Sequence, residues 1–329
     1  IPKKSPFPEI KIINLTPLER KNKTILSKYL QDSVFEVLNA KGKALLFLNR
    51  RGFATFANCN SCGSVLKCPR CNINLVYHFK ENTLSCHYCN FKMQPPKLCP
   101  ACNSGYIKYS GTGTEKAESE LSRIFPQARI KVLDNARQAK QEDADIFIAT
   151  ESILGAQYKF DLVAALSIDN SLNRVDFRAA EKGFRLLCGL LALTDKRLVI
   201  QTGFFTHHAF AALTEKDVNR FYNEELKQRK QLSFPPYSHL GRVLIRGKIE
   251  SRVKDVSSAL FEKLNERNKG KGVRIISLNA AQPAQLRGNF YWQILLRAPS
   301  ANKLSKFLKI NLKDFRHSGI IVTVDIDPL

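Results

Sequence analysis

Eight cysteines between Cys59 and Cys102 fall in four Cys-x-x-Cys pairs: Cys59/Cys62, Cys68/Cys71, Cys86/Cys89 and Cys99/Cys102. A Cys-x-x-Cys turn brings two thiolates to one side of a tight knuckle, and two knuckles make a tetrahedral Cys₄ zinc site. Four knuckles therefore predict two Zn²⁺ ions. A single pair would also suit a redox motif, but four pairs within 44 residues do not. A disulfide framework suits a secreted mini-protein rather than a 329-residue chain with no signal-peptide pattern. A Cys₄ site is closed, so these sulfurs serve structure rather than catalysis. So short a segment buries little core, and metal binding supplies much of its folding energy.

Spacing alone leaves the pairing open. Leu75–Phe79 and Thr83–Ser85 read as a hairpin with Lys80, Glu81 and Asn82 at its turn. It would bring Cys68/Cys71 against Cys86/Cys89, and the outer pairs would close around it. His78 and His87 lie nearby but are not needed, because eight thiolates fill two sites.

The flanking segments must position this module. Residues 1–8 read as a Pro/Lys-rich linker, and Glu9–Leu15 as a strand. Ile25–Ala40 has helical periodicity, with Thr24 or Ser27 as N-cap. Ala44–Leu48 is a continuous apolar run that suits a buried parallel strand. After the cysteines come a helix (Glu115–Ile124), strands at Arg129–Leu133, Asp145–Ala149 and Leu162–Ile168, a helix from Asp176 to Leu193 and a strand at Arg197–Gln201. This alternation predicts an α/β domain with a mostly parallel sheet over 9–52 and 109–202, interrupted by the zinc module at 53–108. Residues 203–237 read as a helical connector ending at the Phe234–Tyr237 boundary. Residues 238–329 read βαββαβ, a ferredoxin-like layout, with strands at Leu240–Arg246, Val273–Leu278, Tyr291–Arg297 and Ile320–Ile326.

The formal charge is +23; eight thiolates and two Zn²⁺ change it by −8 and +4, leaving +19. Residues 241–317 hold 17 Lys/Arg against 5 Asp/Glu, a net +12. Such a field attracts polyanions, and nucleic acid is the default partner. No apolar run is long enough for a membrane span, and no basic amphipathic helix favours an anionic membrane. A cytoplasmic, nucleoid-associated protein is expected, and the start at Ile1 points to a piece of something longer.

Enzyme chemistry is harder to find. There is no GxxxxGK[ST] loop, no Asp-Glu dipeptide for a DExH box and no GxSxG elbow. Gly111-Thr-Gly-Thr-Glu115 is glycine-rich before a helix but lacks the phosphate-reaching Lys. Cys188, in an apolar helix, reads as a core thiol.

From about Ile10 to its end, the chain resembles the C-terminal half of the primosomal protein N′ (PriA) family of replication-restart helicases. The resemblance rests on the eight-cysteine spacing and its flanks, LFLNRRG at 46–52 and GTE at 113–115. DFRAAE at 176–181, Pro235-Pro236 and VDIDP at 324–328 extend it. It implies a RecA-like second helicase lobe carrying an inserted two-zinc module, then a ferredoxin-like domain. It also implies nested zinc sites: Cys59, Cys62, Cys99 and Cys102 in one, and Cys68, Cys71, Cys86 and Cys89 in the other.

The departures bear on activity. The first lobe, with its phosphate loop and DExH box, is not in this sequence. The family's Lys after its Thr-Gln motif is missing from TESILGA at 150–156, and LLALTDKR at 190–197 replaces its arginine motif. The loop after Leu133 looks shortened. ATP is therefore not expected as a cofactor, and no catalytic residue is assigned. The leading expectation is recognition of branched or single-stranded DNA at stalled forks during primosome assembly, by phosphate charge and base stacking. The alternatives are half of an ATP-dependent 3′–5′ helicase completed by another lobe, and a zinc-stabilised protein scaffold.

Candidate DNA contacts are Arg50, Arg51, Lys271, Arg287 and Trp292. Phe290-Tyr291-Trp292 lies on a strand, so at least one ring faces the core, and Tyr291 is the expected one. Family resemblance implies that an Arg and a Gln grip the acidic tail of single-strand binding protein. Gln293 matches, while the Arg position falls at Asn289. Other primosome or replisome proteins are implied in the same way.

Overall fold

The computed structural model describes residues 7–15, 24–49, 58–59, 61–62, 64–70, 74–78, 82–86, 89, 91–105, 107–108, 113–133, 143–172, 177–268 and 272–328. In chain order, β1 (Glu9–Asn14), α1 (Lys28–Asn39) and β2 (Ala44–Leu48) precede the cysteine segment, which contributes β3 (Asn58–Cys59), β4 (Val76–His78), β5 (Thr83–Ser85), β6 (Lys92–Met93) and β7 (Ile107–Lys108). Then come α2 (Gly113–Ile124), β8 (Ile130–Leu133), β9 (Ile146–Ala149), β10 (Phe160–Ser167), α3 (Asp169–Leu172), α4 (Ala179–Leu191) and β11 (Thr194–Thr202). Helices α5 (His208–Thr214) and α6 (Val218–Gln231) lead to β12 (His239–Gly247), α7 (Glu250–Arg267), β13 (Arg274–Leu286), β14 (Asn289–Ala298), α8 (Ala301–Leu312) and β15 (Ile320–Ile326). Packing divides the chain into two units: Ile1–Thr55 with Ser110–Leu226, and Phe56–Tyr109 with Lys227–Leu329. No helix among the described residues is long and apolar enough to cross a membrane.

The first unit is a six-stranded sheet in the order β1-β11-β10-β2-β9-β8, with every neighbouring pair parallel. A parallel sheet must bury both faces, which explains why β2 is a five-residue apolar run buried throughout. Leu45 and Phe47 point into a core with α4, α5 and Phe221 of α6. Ala44, Leu46 and Leu48 point into the opposite core with α1 and α2. Ser27 caps α1, its hydroxyl accepting from the Leu30 N–H at 3.4 Å. Residues 203–237 divide: α5 joins the sheet's core, and Phe221 stacks on Phe184 at 4.0 Å.

Strands β2 and β10 are neighbours, yet the chain leaves β2 towards β8 and leaves β10 towards β11, on opposite sides. A crevice opens at such a switch point, outside the C-terminal ends of the strands. There Asn49 donates to the Ser171 hydroxyl, and Asp169 accepts from the Thr202 hydroxyl and the Gly203 N–H. The cysteine segment leaves the chain at this end of β2 and returns at α2. Lys196 and Arg197 lie at the other end of the sheet, near the start of β11. Lys196 pairs with Asp161, and Arg197 with Glu9 and Glu36.

In the second unit, β12 to β15 form an antiparallel sheet in the order β13-β14-β12-β15. Val243, Ile245, Ile294 and Leu296 face Leu260 and Leu264 of α7 and Leu304 and Phe307 of α8. Both helices thus cover one face of a βαββαβ sheet. Strand β13 runs eight residues past the expected Leu278, because register shifts between Ile275 and Ser277 and between Ala280 and Gln285 absorb an irregular stretch containing Pro283. Strands β13 and β14 meet through Arg287 (φ 51°) and Gly288 (φ 74°), between paired Leu286 and Asn289. Two successive left-handed residues make the tight turn whose twist matches a hairpin.

Candidate metal centres

Cys59, Cys62, Cys99 and Cys102 place their four sulfurs within 4.8 Å of one another. Cys59 Sγ lies 3.6 Å from Cys102 Sγ, and Cys62 Sγ lies 3.8 Å from Cys99 Sγ. Four sulfurs each about 2.3 Å from one Zn²⁺ stand about 3.8 Å apart at tetrahedral angles, so the cage has the size of that ion. Each knuckle is closed by its own backbone: Cys59 N–H donates to Ser64 C=O and Cys99 N–H to Ser104 C=O, both at 2.8 Å. Pairing of β3 with β7 fixes the base, with Cys59 opposite Ile107.

The sulfurs compete for negative charge. The Cys62 N–H donating to Cys59 holds its thiol down at about 6. The Ser104 amide pulls Cys102 the same way, but hydrogen bonds with the Cys62 and Cys59 sulfurs and burial raise it to about 12. Four thiolates cannot coexist at this spacing without a cation. A divalent ion would hold all four deprotonated, so the donor set fits zinc.

Cys68, Cys86 and Cys89 form a second cluster within 4.8 Å, with Cys68 and Cys89 Sγ 3.6 Å apart. Their expected fourth partner, Cys71, lies outside the described residues, as does His87. The expected hairpin does join the two knuckles. Val76 pairs with Ser85 and His78 with Thr83, Asn82 supplies a left-handed turn (φ 47°), and the Tyr77 hydroxyl donates to Asn82 Oδ1 at 2.7 Å. Cys86 N–H closes its knuckle on Phe91 C=O at 2.8 Å. Leu66, Leu75, Tyr77 and Leu84 are the small buried core around it.

The cysteine segment is also braced from far along the chain. Leu286 packs against its core, and the Gly288 N–H donates to the Arg70 carbonyl at 3.2 Å. The tip of the β13–β14 hairpin thus rests on the Cys68 knuckle. Sequence reasoning missed this contact, which no local pattern signals.

Comparison with known proteins bears on these cysteines directly. Residues 68–93 match the Cys-rich region domain of PriA DNA helicase, and residues 230–329 match the primosomal protein N C-terminal domain. Proteins named replication restart protein PriA align along 98% of this chain, at 31% identity in Synechocystis sp., 29% in Bacillus subtilis and 31% in Treponema pallidum. Along nearly its whole length the chain is similar to these PriA proteins. It spans 42%, 43% and 51% of the length of those three PriA relatives.

The other residues singled out from the sequence scatter. Arg50, Arg51 and Lys271 lie outside the described residues. Arg287 is exposed at the hairpin tip. Phe290 and Trp292 pack half-buried against the helices of the C-terminal sheet, on the side of Ile294 and Leu296. The expectation that Tyr291 faces inward is therefore corrected. Residues two apart on a strand share a face, and Tyr291 lies with Gln293 on the side away from the helices. Asn289 donates its side-chain amide to the Arg287 carbonyl at 3.3 Å.

Trp292 can accordingly be tested as a packing residue. Trp292→Ala should lower stability by about 1–3 kcal/mol, below the cost of a fully buried ring. Zinc content and the salt dependence of DNA binding should not move. A tenfold loss of DNA affinity at an unchanged melting temperature would assign Trp292 to the ligand instead.

Proposed function

We propose that this chain binds single-stranded or forked DNA in replication restart, in the cytoplasm and on the nucleoid. The observation that carries the reading is the alignment along 98% of the chain with relatives named for replication restart. The +12 charge of residues 241–317 supports it, because sequence-independent DNA binding is mostly phosphate neutralisation. On this reading the six-stranded unit is a RecA-like second helicase lobe, and the βαββαβ unit is a ferredoxin-like domain. The eight cysteines hold two Zn²⁺ ions in nested sites. Single-strand binding protein and primosome proteins are the protein partners, with Gln293 as a candidate contact.

ATP-driven unwinding is not assigned to this chain's own residues. Lys196 and Arg197, the cations nearest the replaced arginine motif, are committed to ion pairs at the sheet end opposite the switch point. A labelled fork and a blunt duplex titrated at physiological salt, with and without ATP, test the reading. Preference for the fork, unchanged by ATP, is expected. Equal or absent binding of both would leave the chain as a protein scaffold, and ATP-dependent strand separation would return it to the active helicases.

A further inference from the structure

Four arginines on the strands of the C-terminal sheet point to the same face. Arg242 and Arg246 alternate with the buried Val243 and Ile245 of β12, Arg297 with the buried Leu296 and Ala298 of β14, and Arg274 of β13 sits directly opposite Arg297. This face is the one that α7 and α8 leave uncovered. Among the described residues of these strands, Tyr291 is its one aromatic side chain, placed across from Arg246. The one carboxylate there is Asp325, which holds Arg242 at 2.9 Å.

Charge on this face is therefore unbalanced. Like charges directly opposite one another on a sheet are destabilising, as Arg274 and Arg297 are here. The Nε atoms of Arg242, Arg246 and Arg297 are buried without a hydrogen-bond partner among the described residues. Donors of this kind call for an acceptor, although the Arg297 guanidinium already lies 5.7 Å from the Phe234 ring centroid. The guanidinium fork suits phosphate oxygens, and a phosphate between Arg274 and Arg297 would turn their repulsion into two charge-assisted contacts.

We propose that the open face of this sheet is a single-strand nucleic-acid platform, with phosphates on the arginines and a base stacked on Tyr291. The proposal rests on the DNA-binding reading and names its surface. Four-stranded sheets of the same layer order present aromatic rings to two or three unpaired bases in this way. Duplex DNA offers no free base face to Tyr291. An acidic peptide would satisfy the arginines but leave the ring without its role; Gln293, the candidate contact for the tail of single-strand binding protein, lies beside Tyr291 on this face, so tail and single strand would compete for it.

The test uses the full chain with a labelled oligothymidylate at several salt concentrations. Arg246→Ala/Arg297→Ala should weaken binding and flatten the log–log salt slope by about 1.4, at roughly 0.7 for each phosphate no longer neutralised. Tyr291→Ala should weaken binding about fivefold to a hundredfold at unchanged slope, and Tyr291→Phe should restore it. Melting temperature and zinc content should match wild type; where alanine lowers the melting temperature, Arg246→Gln/Arg297→Gln is measured instead. Wild-type binding with unaffected variants would overturn the platform and leave the DNA reading intact. No wild-type binding would overturn both. Variants that keep the oligonucleotide but lose oligoglutamate would make the face a peptide dock and sink the proposal.

Discussion

Two zinc ions per chain are expected from metal analysis of the native protein, falling to one in Cys68→Ser. The outer sulfurs already stand at 3.6 and 3.8 Å, near the separation that tetrahedral zinc imposes. The two cysteine groups share no residue, so loss of the inner ion should leave the outer one in place. The effect on folding should be large. Structural zinc contributes about 10–16 kcal/mol in zinc-finger peptides at neutral pH, and among the described residues the module's buried apolar side chains besides cysteine are Leu66, Leu75, Tyr77 and Leu84. Chelation should therefore melt the cysteine segment before either sheet, as read by hydrogen exchange. Zinc affinity should fall as pH falls, since a thiol held up at about 12, as Cys102 is, must lose its proton on binding. A single ion in native protein, or loss of both in Cys68→Ser, would replace two sites with one shared cluster.

DNA affinity should drop about a hundredfold between 50 and 200 mM salt. Each phosphate neutralised by Lys or Arg releases condensed counterion, at a log–log slope of roughly −0.7 per contact on single strands. About four to six contacts give a slope near −3 to −4. The +12 charge of residues 241–317 has ample cations for that number. Anisotropy titrations at three or more salt concentrations measure the slope directly. A flat dependence would mean that the charge is a solvated surface with no part in binding.

The parts legible in the sequence share a physical trait, which is that a short local pattern dictates them. Cys-x-x-Cys spacing marks the knuckles because a thiolate pair needs that turn. The ALLFL run of β2 marks a buried parallel strand because both its faces must be apolar. The βαββαβ order survives in full, and Ile320–Ile326 keeps its expected ends. Illegible parts depend on partners distant in sequence. The second half of β13 holds Ala281 and Pro283, which look like loop, and only the pairing of Ala280 with Trp292 and of Gln285 with Phe290 on either side carries the strand across them. The apolar ring of Tyr291 suggests an inward position, although its period-two neighbours Gln293 and Arg297 place it outward. Those same alternations would have revealed the row of strand arginines. Nothing around Leu286 announces that it packs against cysteines near residue 70.

The brace on the Cys68 knuckle arrives late in synthesis. Arg70 leaves the ribosome about 200 residues before Gly288, the residue whose N–H it accepts. At about 5–20 residues per second, the cysteine segment waits on the order of 10–40 s without that support. Over that interval metal capture is the main force available to hold the knuckle closed. A cell short of zinc would thus expose nascent chains with open thiols and an unpaired hairpin. The cost of zinc scarcity would appear as reduced yield at translation more than as reduced activity in finished protein.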